Sequence, residues 1–209
     1  MTQEQVESPR DQRRHTRQKS AREGEERHES ERDCDRILYS SAYRRLTGVT
    51  QVVASSEIQL FHNRLTHTLK AAQIARRLAE RFLRKPETQE LAANLGGLDP
   101  SVAEAAAMAH DLGHPPFGHI AEAALNDECC QRGLDGFEGN AQTFRIVTKL
   151  TQRNSQNPGL NLTRATLNAI LKYPWMRAAV PGRDKKFGAY TSEIDDLTFA
   201  RLDFHDERR

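Results

Sequence analysis

The sequence predicts an all-α fold, and three observations support this prediction. Most of the chain consists of segments whose apolar residues recur at helical spacing. The one β-branched run, residues 49–53, is long enough only for an edge strand or a small hairpin arm. Gly and Pro residues divide the remainder into six or seven segments without an internal repeat. We therefore expect a helical bundle around one core, for which 209 residues are enough.

Charge and cysteine content narrow the class of protein. The chain has 31 Lys and Arg residues against 29 Asp and Glu residues, for a formal net charge of +2. This balance argues against a dedicated nucleic-acid binder, so nucleic acid is not expected to be the main substrate. Three cysteines, two of them adjacent, do not form a disulfide framework. With no signal peptide and no long apolar run, the sequence predicts a cytoplasmic protein that does not enter a membrane.

The N-terminal part of the chain is polar and rich in charges of both signs. Such a composition cannot bury enough apolar surface to order itself alone. We predict a charged, flexible segment at residues 1–28 and a core domain at residues 29–209. The first core helix is predicted to run without a break from about residue 32 through Tyr43 and Leu46 to Gly48.

Residues 63–84 form the clearest helix of the sequence. An apolar stripe at helical spacing predicts its buried face, which comprises His67, Ala71, Ile74, Leu78 and Phe82. The charged residues beside this stripe are expected to face the solvent. Taken alone, a histidine such as His67 is more often a packed core residue than a metal ligand.

The most informative stretch is residues 110–119, which hold three histidines and one aspartate. A small-residue helix is predicted just before it, at residues 101–109. Asp99 can cap that helix, and Pro100 suits its first position.

His110 and Asp111 stand together near the end of this helix. His110 is predicted to point inward among alanines, and a buried imidazole beside a buried carboxylate is costly unless something pairs them. A divalent metal ion does so well, and His67 would be a natural third ligand. The alternative is a packed core histidine beside an aspartate that ends a helix.

The next helix, at residues 120–130, is predicted to pack through Ala121, Ala124 and Leu125. His119 opens it, and Glu122 lies on the same face three residues later. Glu122 can accept the proton of one imidazole nitrogen and hold the other toward a substrate. Alternatively, Glu122 is a first-turn acid favoured by the helix dipole.

Three further helices are predicted at residues 140–150, 160–171 and 193–202. In the first of them Phe144, Val147 and Leu150 are expected to point inward. Near the end of the sequence four apolar residues are expected to lack a later helix to pack on: Phe187, Leu197, Phe199 and Phe204.

The order of these motifs resembles that of a known family. His67, followed by His110-Asp111 on a later helix, is similar to the metal-dependent HD phosphohydrolase superfamily. The longer string at residues 110–122 resembles its deoxyguanosine triphosphate triphosphohydrolase-like branch. Further matches, in the order of the family, are residues 35–37, 43–46, 50–52, 62–68, 136–142, 172–175 and 186–188.

The resemblance implies an HD-domain helical bundle that hydrolyses deoxynucleoside triphosphates to deoxynucleoside and inorganic triphosphate. It also implies a divalent metal ion, such as Mn²⁺ or Mg²⁺, and a homo-oligomer. By matching positions, the implied metal ligands are His67, His110 and Asp111. The implied catalytic residues are His119 and Glu122, with His114 beside them. The positions implied around the substrate are Gln51, Arg64, Asn140, Lys172, Tyr173 and Lys186.

One feature of the family is missing. Its fourth metal ligand is an Asp on a helix beyond the segment at residues 186–188, and Asp195 and Asp196 follow that segment too closely. We therefore expect the chain to be the N-terminal portion of the family's core, truncated at the C-terminus, and by itself nearly inactive. Two alternatives stay open: a non-catalytic nucleotide-binding or regulatory HD subunit, and an HD phosphohydrolase acting on another nucleotide.

Overall fold

A computed structural model describes residues 8–15, 26–49, 63–152 and 157–202. Within these ranges the chain forms helices and isolated bridges but no strand, which confirms the all-α prediction. The α-helices are α1 (Glu29–Leu38), α2 (Ser41–Arg45), α3 (Arg64–Leu83), α4 (Pro86–Asn94), α5 (Pro100–Ala109), α6 (Gly118–Gln131), α7 (Gly139–Arg145), α8 (Arg164–Ile170) and α9 (Ile194–Arg201). Short 3₁₀ turns lie at Pro9–Asp11 and Thr191–Glu193, and a π-helical turn lies at Ile146–Leu150. No helix in the described ranges is long and apolar enough to cross a bilayer.

Helix α5 is the centre of the bundle. It packs against α1, α3 and α8. Ala105 and Ala109 are fully buried in it, and their small side chains allow three neighbouring helices to approach closely. The predicted start of α5 is confirmed, because the Asp99 side chain accepts a hydrogen bond from the Ser101 amide at 2.7 Å and Pro100 is the first helical residue.

The predicted first helix is two helices. Tyr39 and Ser40 separate α1 from α2. The Ser40 hydroxyl donates to the Ile37 carbonyl at 2.7 Å and accepts from the Tyr43 amide at 3.1 Å. One short side chain thus bonds a free carbonyl at the end of α1 and a free amide at the start of α2. The break between the helices therefore costs little free energy.

Helix α3 has the predicted bounds but buries a different face. Its buried residues are Thr68, Ala72 and Ala79, whereas Ile74 is 58% exposed and Leu78 and Phe82 are about half exposed. The buried face is offset by one residue from the predicted stripe, which is a rotation of about 100°. Because α5 presents small side chains, close packing selects the small residues of α3 and leaves the bulky ones outside.

The helices at residues 120–130 and 140–150 also differ from their predictions. In α6, Glu122 is the buried residue, while Ala124 and Leu125 are exposed and Ala121 is only partly buried. In α7 and the turn that follows it, Phe144 and Val147 are buried as predicted, but Leu150 is exposed. The π-helical turn explains Leu150, because its wider winding rotates the last residue away from the core face.

The last predicted helices begin later than expected. Residues 160–163 are not helical, and Thr163 caps α8 by accepting a hydrogen bond from the Thr166 amide. Leu197 is buried, and Phe187 is fully buried beside Tyr190, so the expectation that they lack packing partners is wrong. Phe199 is partly buried, with the Arg164 guanidinium 4.7 Å from its ring centre. Phe204 lies outside the described residues.

The boundary at residue 28 stays a prediction, yet residues 8–15 of that segment contact the core. Arg13 donates to Glu29 at 2.7 Å, to Asp33 at 2.6 Å and to the Asn161 carbonyl at 2.6 Å. The side chain of Arg13 is nearly inaccessible to solvent. This part of the N-terminal segment is therefore tied to α1 and to the residues before α8.

Candidate functional site

His67 and His110 meet although 43 residues separate them in the sequence. His67 lies in the first turn of α3, and His110 is the residue that ends α5. Their Nε2 atoms are 3.3 Å apart, and His110 Nε2 lies 3.4 Å from an oxygen of Asp111. The two histidines and Asp111 each offer one ligand atom, and these atoms lie within 4.8 Å of one another. Their predicted convergence is confirmed.

Two details of this cluster fit a divalent metal ion. The Nδ1 atom of His110 lies 2.6 Å from the Ala107 carbonyl, which can only accept, so Nδ1 holds the proton and Nε2 keeps a free lone pair. A metal ion about 2.1 Å from two imidazole nitrogens holds them about 3.0 to 3.4 Å apart at ordinary ligand angles. The observed separation of 3.3 Å agrees with that range. The cluster can therefore bind a metal ion without a large rearrangement.

Asp111 is the buried member of the cluster, and it is shared among several partners. Its Oδ2 accepts a hydrogen bond from the Arg64 guanidinium at 3.0 Å. Its Oδ1 lies 3.3 Å from Nδ1 of His114. Burial lowers the pKa of His114, and the negative charge of Asp111 offsets this effect only in part. His114 is therefore held beside the cluster mainly as a neutral imidazole.

A close approach of two backbones fixes the turn that places His114. A side chain at Gly113 would collide with the Gly139 carbonyl and the Thr143 amide, at 2.1 and 2.2 Å. The Gly113 amide donates to the Thr143 hydroxyl at 2.9 Å. A glycine is needed there so that the turn after α5 can lie directly against α7.

His119 and Glu122 form a pair at the start of α6. The Nδ1 atom of His119 lies 3.0 Å from Oε2 of Glu122, and the His119 side chain is 84% exposed. Burial alone would raise the pKa of Glu122, but the hydrogen bond from His119 and the charge of Lys186 outweigh it, so the pKa is lowered. An ionised carboxylate thus orients an exposed imidazole whose Nε2 faces the solvent.

The backbone before α6 is strained, and it connects the two groups of histidines. Phe117 has φ 63° and Gly118 has φ 59°, so the chain turns through the left-handed region immediately before His119. Such a conformation in a bulky residue persists only where its surroundings enforce it. The rings of His114 and His119 are 6.4 Å apart, measured between their centres. The cluster and the His119–Glu122 pair therefore belong to one site.

Three more residues, Lys186, Glu138 and Asn140, extend the site on the side of α7. The Nζ atom of Lys186 lies 3.4 Å from Glu122 and 3.2 Å from Glu138. The side-chain amide of Asn140 donates to Glu138 at 2.9 Å. Lys186 and Asn140 were both candidates from the sequence, whereas Glu138 was not. Its position directly before a helix, inside a motif already singled out, was the available signal.

The remaining candidates are not brought to this site by any described contact. Lys172 is exposed, with its Nζ 5.5 Å from the ring centre of Tyr173, which in turn lies 5.6 Å from that of Trp175. Gln51 lies outside the described residues. Their assignment to the substrate stays a prediction.

Asp195 and Asp196 do not supply a fourth ligand to the cluster. Asp195 is largely exposed and lies 3.7 Å from Arg14. Asp196 is buried, and it pairs with Lys149 at 3.0 Å and with Arg14. Among the residues that the structure describes, the cluster consists of His67, His110 and Asp111 alone.

Comparisons with known proteins assign the chain to a family. The family model of the HD domain matches residues 64–196, which include the cluster, the His119–Glu122 pair and Lys186. Three relatives share the name deoxyguanosinetriphosphate triphosphohydrolase-like protein. The one from Corynebacterium efficiens is 42% identical over 182 residues, which is 85% of this chain and 39% of the relative.

The other two relatives have a similar identity to this chain, and it covers a similar share of their length. The protein from Streptomyces coelicolor is 45% identical over 186 residues, covering 83% of this chain and 39% of the relative. The protein from Nitrobacter hamburgensis is 49% identical over 142 residues, covering 68% of this chain and 31% of the relative. The chain thus spans less than half the length of the curated relatives it matches.

Proposed function

Because this chain belongs to the HD domain family, in its deoxyguanosinetriphosphate triphosphohydrolase-like branch, we propose that it serves metal-dependent hydrolysis of deoxynucleoside triphosphates. The products would be a deoxynucleoside and inorganic triphosphate. The main support is the site geometry: two histidines and an aspartate, supplied by α3 and by the end of α5, converge beside an exposed, carboxylate-oriented histidine. A metal site can polarise a phosphoryl oxygen and a proton donor can stabilise the leaving group, so this combination suits a phosphohydrolase.

In this proposal His67, His110 and Asp111 hold the metal ion, most simply Mn²⁺ or Mg²⁺ with phosphate oxygens completing the coordination. When bound, the ion polarises a phosphoryl oxygen and lowers the pKa of a bound water molecule. Arg64 already contacts Asp111, so its guanidinium lies where it can also bind a phosphate of the substrate.

His119 is the proposed proton donor. Glu122 accepts the hydrogen bond from Nδ1, so the imidazolium can give the proton on Nε2 to the 5′ oxygen of the leaving deoxynucleoside. The phosphorus–oxygen bond to that 5′ oxygen would break as water adds to the α-phosphorus, and the proton that this water loses would restore the imidazolium of His119. His114, beside Asp111, is proposed to contribute a hydrogen bond near the same phosphate.

The substrate contacts complete the proposal. Lys186 and Asn140 line the same side of the site as Glu122, and an ammonium group there can bind a phosphate oxygen. Gln51, Lys172 and Tyr173 are proposed as further substrate contacts by their motif positions alone. A homo-oligomer is also proposed, and the exposed apolar residues Ile74, Leu78 and Phe82 of α3 are consistent with it.

One observation favours a second candidate function. The described residues supply three ligands, and the two aspartates near α9 pair with Arg14 and Lys149 instead of joining them. A non-catalytic nucleotide-binding or regulatory subunit needs no complete metal sphere. The retention of both His119 and Glu122 in hydrogen-bonding geometry argues against it.

The decisive experiment incubates the protein, at the full length its gene encodes, with each deoxynucleoside triphosphate and Mn²⁺. Anion-exchange chromatography should detect inorganic triphosphate and deoxynucleoside in equal amounts. Ribonucleoside triphosphates and a cyclic nucleotide serve as comparison substrates. Release of pyrophosphate, or turnover of the comparison substrates alone, would favour another HD phosphohydrolase reaction. Nucleotide binding without any turnover would favour the regulatory subunit.

A further inference from the structure

Glu138 is a fully buried carboxylate whose two oxygens have different partners. Its Oε2 accepts hydrogen bonds from the backbone amides of Asn140 at 2.5 Å and Ala141 at 3.1 Å, and so caps α7. Its Oε1 instead accepts from the Asn140 side chain at 2.9 Å and from Lys186 Nζ at 3.2 Å. Burying a carboxylate is costly unless it is paired, and here both oxygens are paired.

A cap alone does not require this residue. Ser, Thr, Asn or Asp caps a helix with one short side chain, and one acceptor oxygen is sufficient. Glu138 reaches the same two amides with a longer side chain and directs its second oxygen toward Lys186. The second oxygen of Glu138 therefore also contacts a residue outside α7.

This contact bears on the position of the Lys186 ammonium group. The Lys186 side chain is 46% exposed, and a lysine paired with one carboxylate at a surface gains little from the pair. Its Nζ lies between Glu138 and Glu122, at 3.2 and 3.4 Å. Burial alone would lower the pKa of Lys186, but the two carboxylates outweigh it and raise the pKa, so the amine stays charged.

A continuous chain of contacts then joins the cap to the proposed proton donor. It runs from Glu138 through Lys186 to Oε1 of Glu122, whose Oε2 holds His119 at 3.0 Å. An ammonium group has three donors, so two can serve the carboxylates while the third is directed to a phosphate oxygen.

We propose that Glu138 is a positioning residue, which holds Lys186 against Glu122 and so sets the charge around His119. This inference rests on the proposed function for its effect on turnover, though not for its effect on His119 itself. Without the Glu138 carboxylate, Lys186 is no longer held against Glu122, so Glu138→Gln and Lys186→Met both take a cation away from the Glu122–His119 pair. The two changes should therefore affect the His119 ring in the same sense.

The test uses Glu138→Gln, Lys186→Met and the double variant in the full-length protein. In Glu138→Gln the amide oxygen can still accept from the two backbone amides, while the NH₂ group cannot accept from Lys186. Glu193→Gln is the matched control, because Glu193 is also fully buried and bound to an arginine, Arg145 at 3.1 Å, away from His119.

Nuclear magnetic resonance of the His119 ring gives a readout that needs no turnover. We expect the chemical shift of the His119 ring to change in the same direction in Glu138→Gln and Lys186→Met, with the double variant close to Lys186→Met alone. Glu193→Gln should leave it unchanged. Changes of opposite direction in these two variants, or no change in Glu138→Gln, would reduce Glu138 to a helix cap.

Turnover gives the second readout. We expect kcat to fall roughly 10- to 100-fold in Glu138→Gln, with the double variant no slower than Lys186→Met alone. Effects that multiply in the double variant would mean that Glu138 does not act through Lys186. If the His119 shifts occur but the unmodified protein releases no triphosphate, the proposed function fails and the positioning role stands.

Discussion

Two polar regions of this molecule contain similar residues, but one stabilises the fold and the other forms the candidate site. Around Asp33, which is fully buried, one oxygen accepts from Arg13 at 2.6 Å and the other from the amide and hydroxyl of Thr163 at 2.9 and 2.8 Å. Arg13 also binds Glu29 and the Asn161 carbonyl. These groups satisfy one another within the protein, so this network joins α1, α8 and the N-terminal segment.

The site at the end of α5 contains the same kinds of groups, but its histidines are more accessible to solvent. The Nε2 atoms of His67 and His110 face each other across 3.3 Å, and His119 is held by Glu122 with its other nitrogen in solvent. The lesson of this contrast is that convergence of polar residues does not by itself mark a functional site. A metal ion and a substrate require ligand atoms that converge where the solvent can still reach them.

The largest effect should come from removing a proposed ligand. We expect His110→Ala to lose measurable metal binding and more than 100-fold of turnover, because losing a ligand should cost more than losing one of its outer partners. Calorimetric titration with Mn²⁺ and the triphosphate assay measure the two effects. His15→Ala is the control, since the described hydrogen bonds of His15 use its backbone and Asn161. Full metal binding by His110→Ala would remove His110 from the ligand set.

Next in size is the loss of the proposed proton donor. We expect His119→Ala to keep its metal ion and to lose about 10²- to 10⁴-fold in kcat, which is the usual contribution of general acid catalysis. Metal content by mass spectrometry should stay at the level of the unmodified protein. Ile120→Ala, at the exposed neighbouring position, should retain activity. A metal-free His119→Ala protein would place His119 among the ligands instead.

A substitution in the network around Asp33 should lower the stability of the protein and leave its activity unchanged. Asp33→Asn leaves the buried Arg13 guanidinium with one carboxylate fewer, so we expect a loss of about 3 kcal/mol in the free energy of unfolding. Denaturant titration measures this loss. Glu128→Gln removes an arginine–carboxylate pair that is exposed, and it should cost less than about 0.5 kcal/mol. Equal losses for the two variants would contradict the contrast between the regions.

The smallest effect concerns pH. The folded state lowers the pKa of Glu122 from its ordinary value of 4.5, so this group stabilises the fold above pH 4.5 and the contribution is lost as pH falls through the folded-state pKa. We expect Glu122→Gln to be less stable than the unmodified protein by about 1 kcal/mol at pH 7. Unfolding measured from pH 7 to pH 3 should show this difference shrinking. A difference that grew on acidification would mean that the pKa is raised.

The sequence alone determined much of the fold and a large part of the site. Helix periodicity and capping residues located α3 and α5, because those signals are local and depend on neighbours three or four residues away. The spacing of His119 and Glu122 was sufficient to pair them, since one helical turn brings them together. The motif order placed His67 with His110, and their separation bears this out.

Only the tertiary structure decided which faces are buried and which carboxylates act together. The stripe of α3 was assigned to the core because its residues are apolar, yet close packing against the alanines of α5 buries Thr68, Ala72 and Ala79 instead. No local sequence pattern pointed to Glu138, since its proposed role depends on Lys186, which is 48 residues away in the sequence. Periodicity reports how residues within one element are arranged, whereas burial and charge pairing depend on which other element comes to lie against them, and that is settled only when the helices pack.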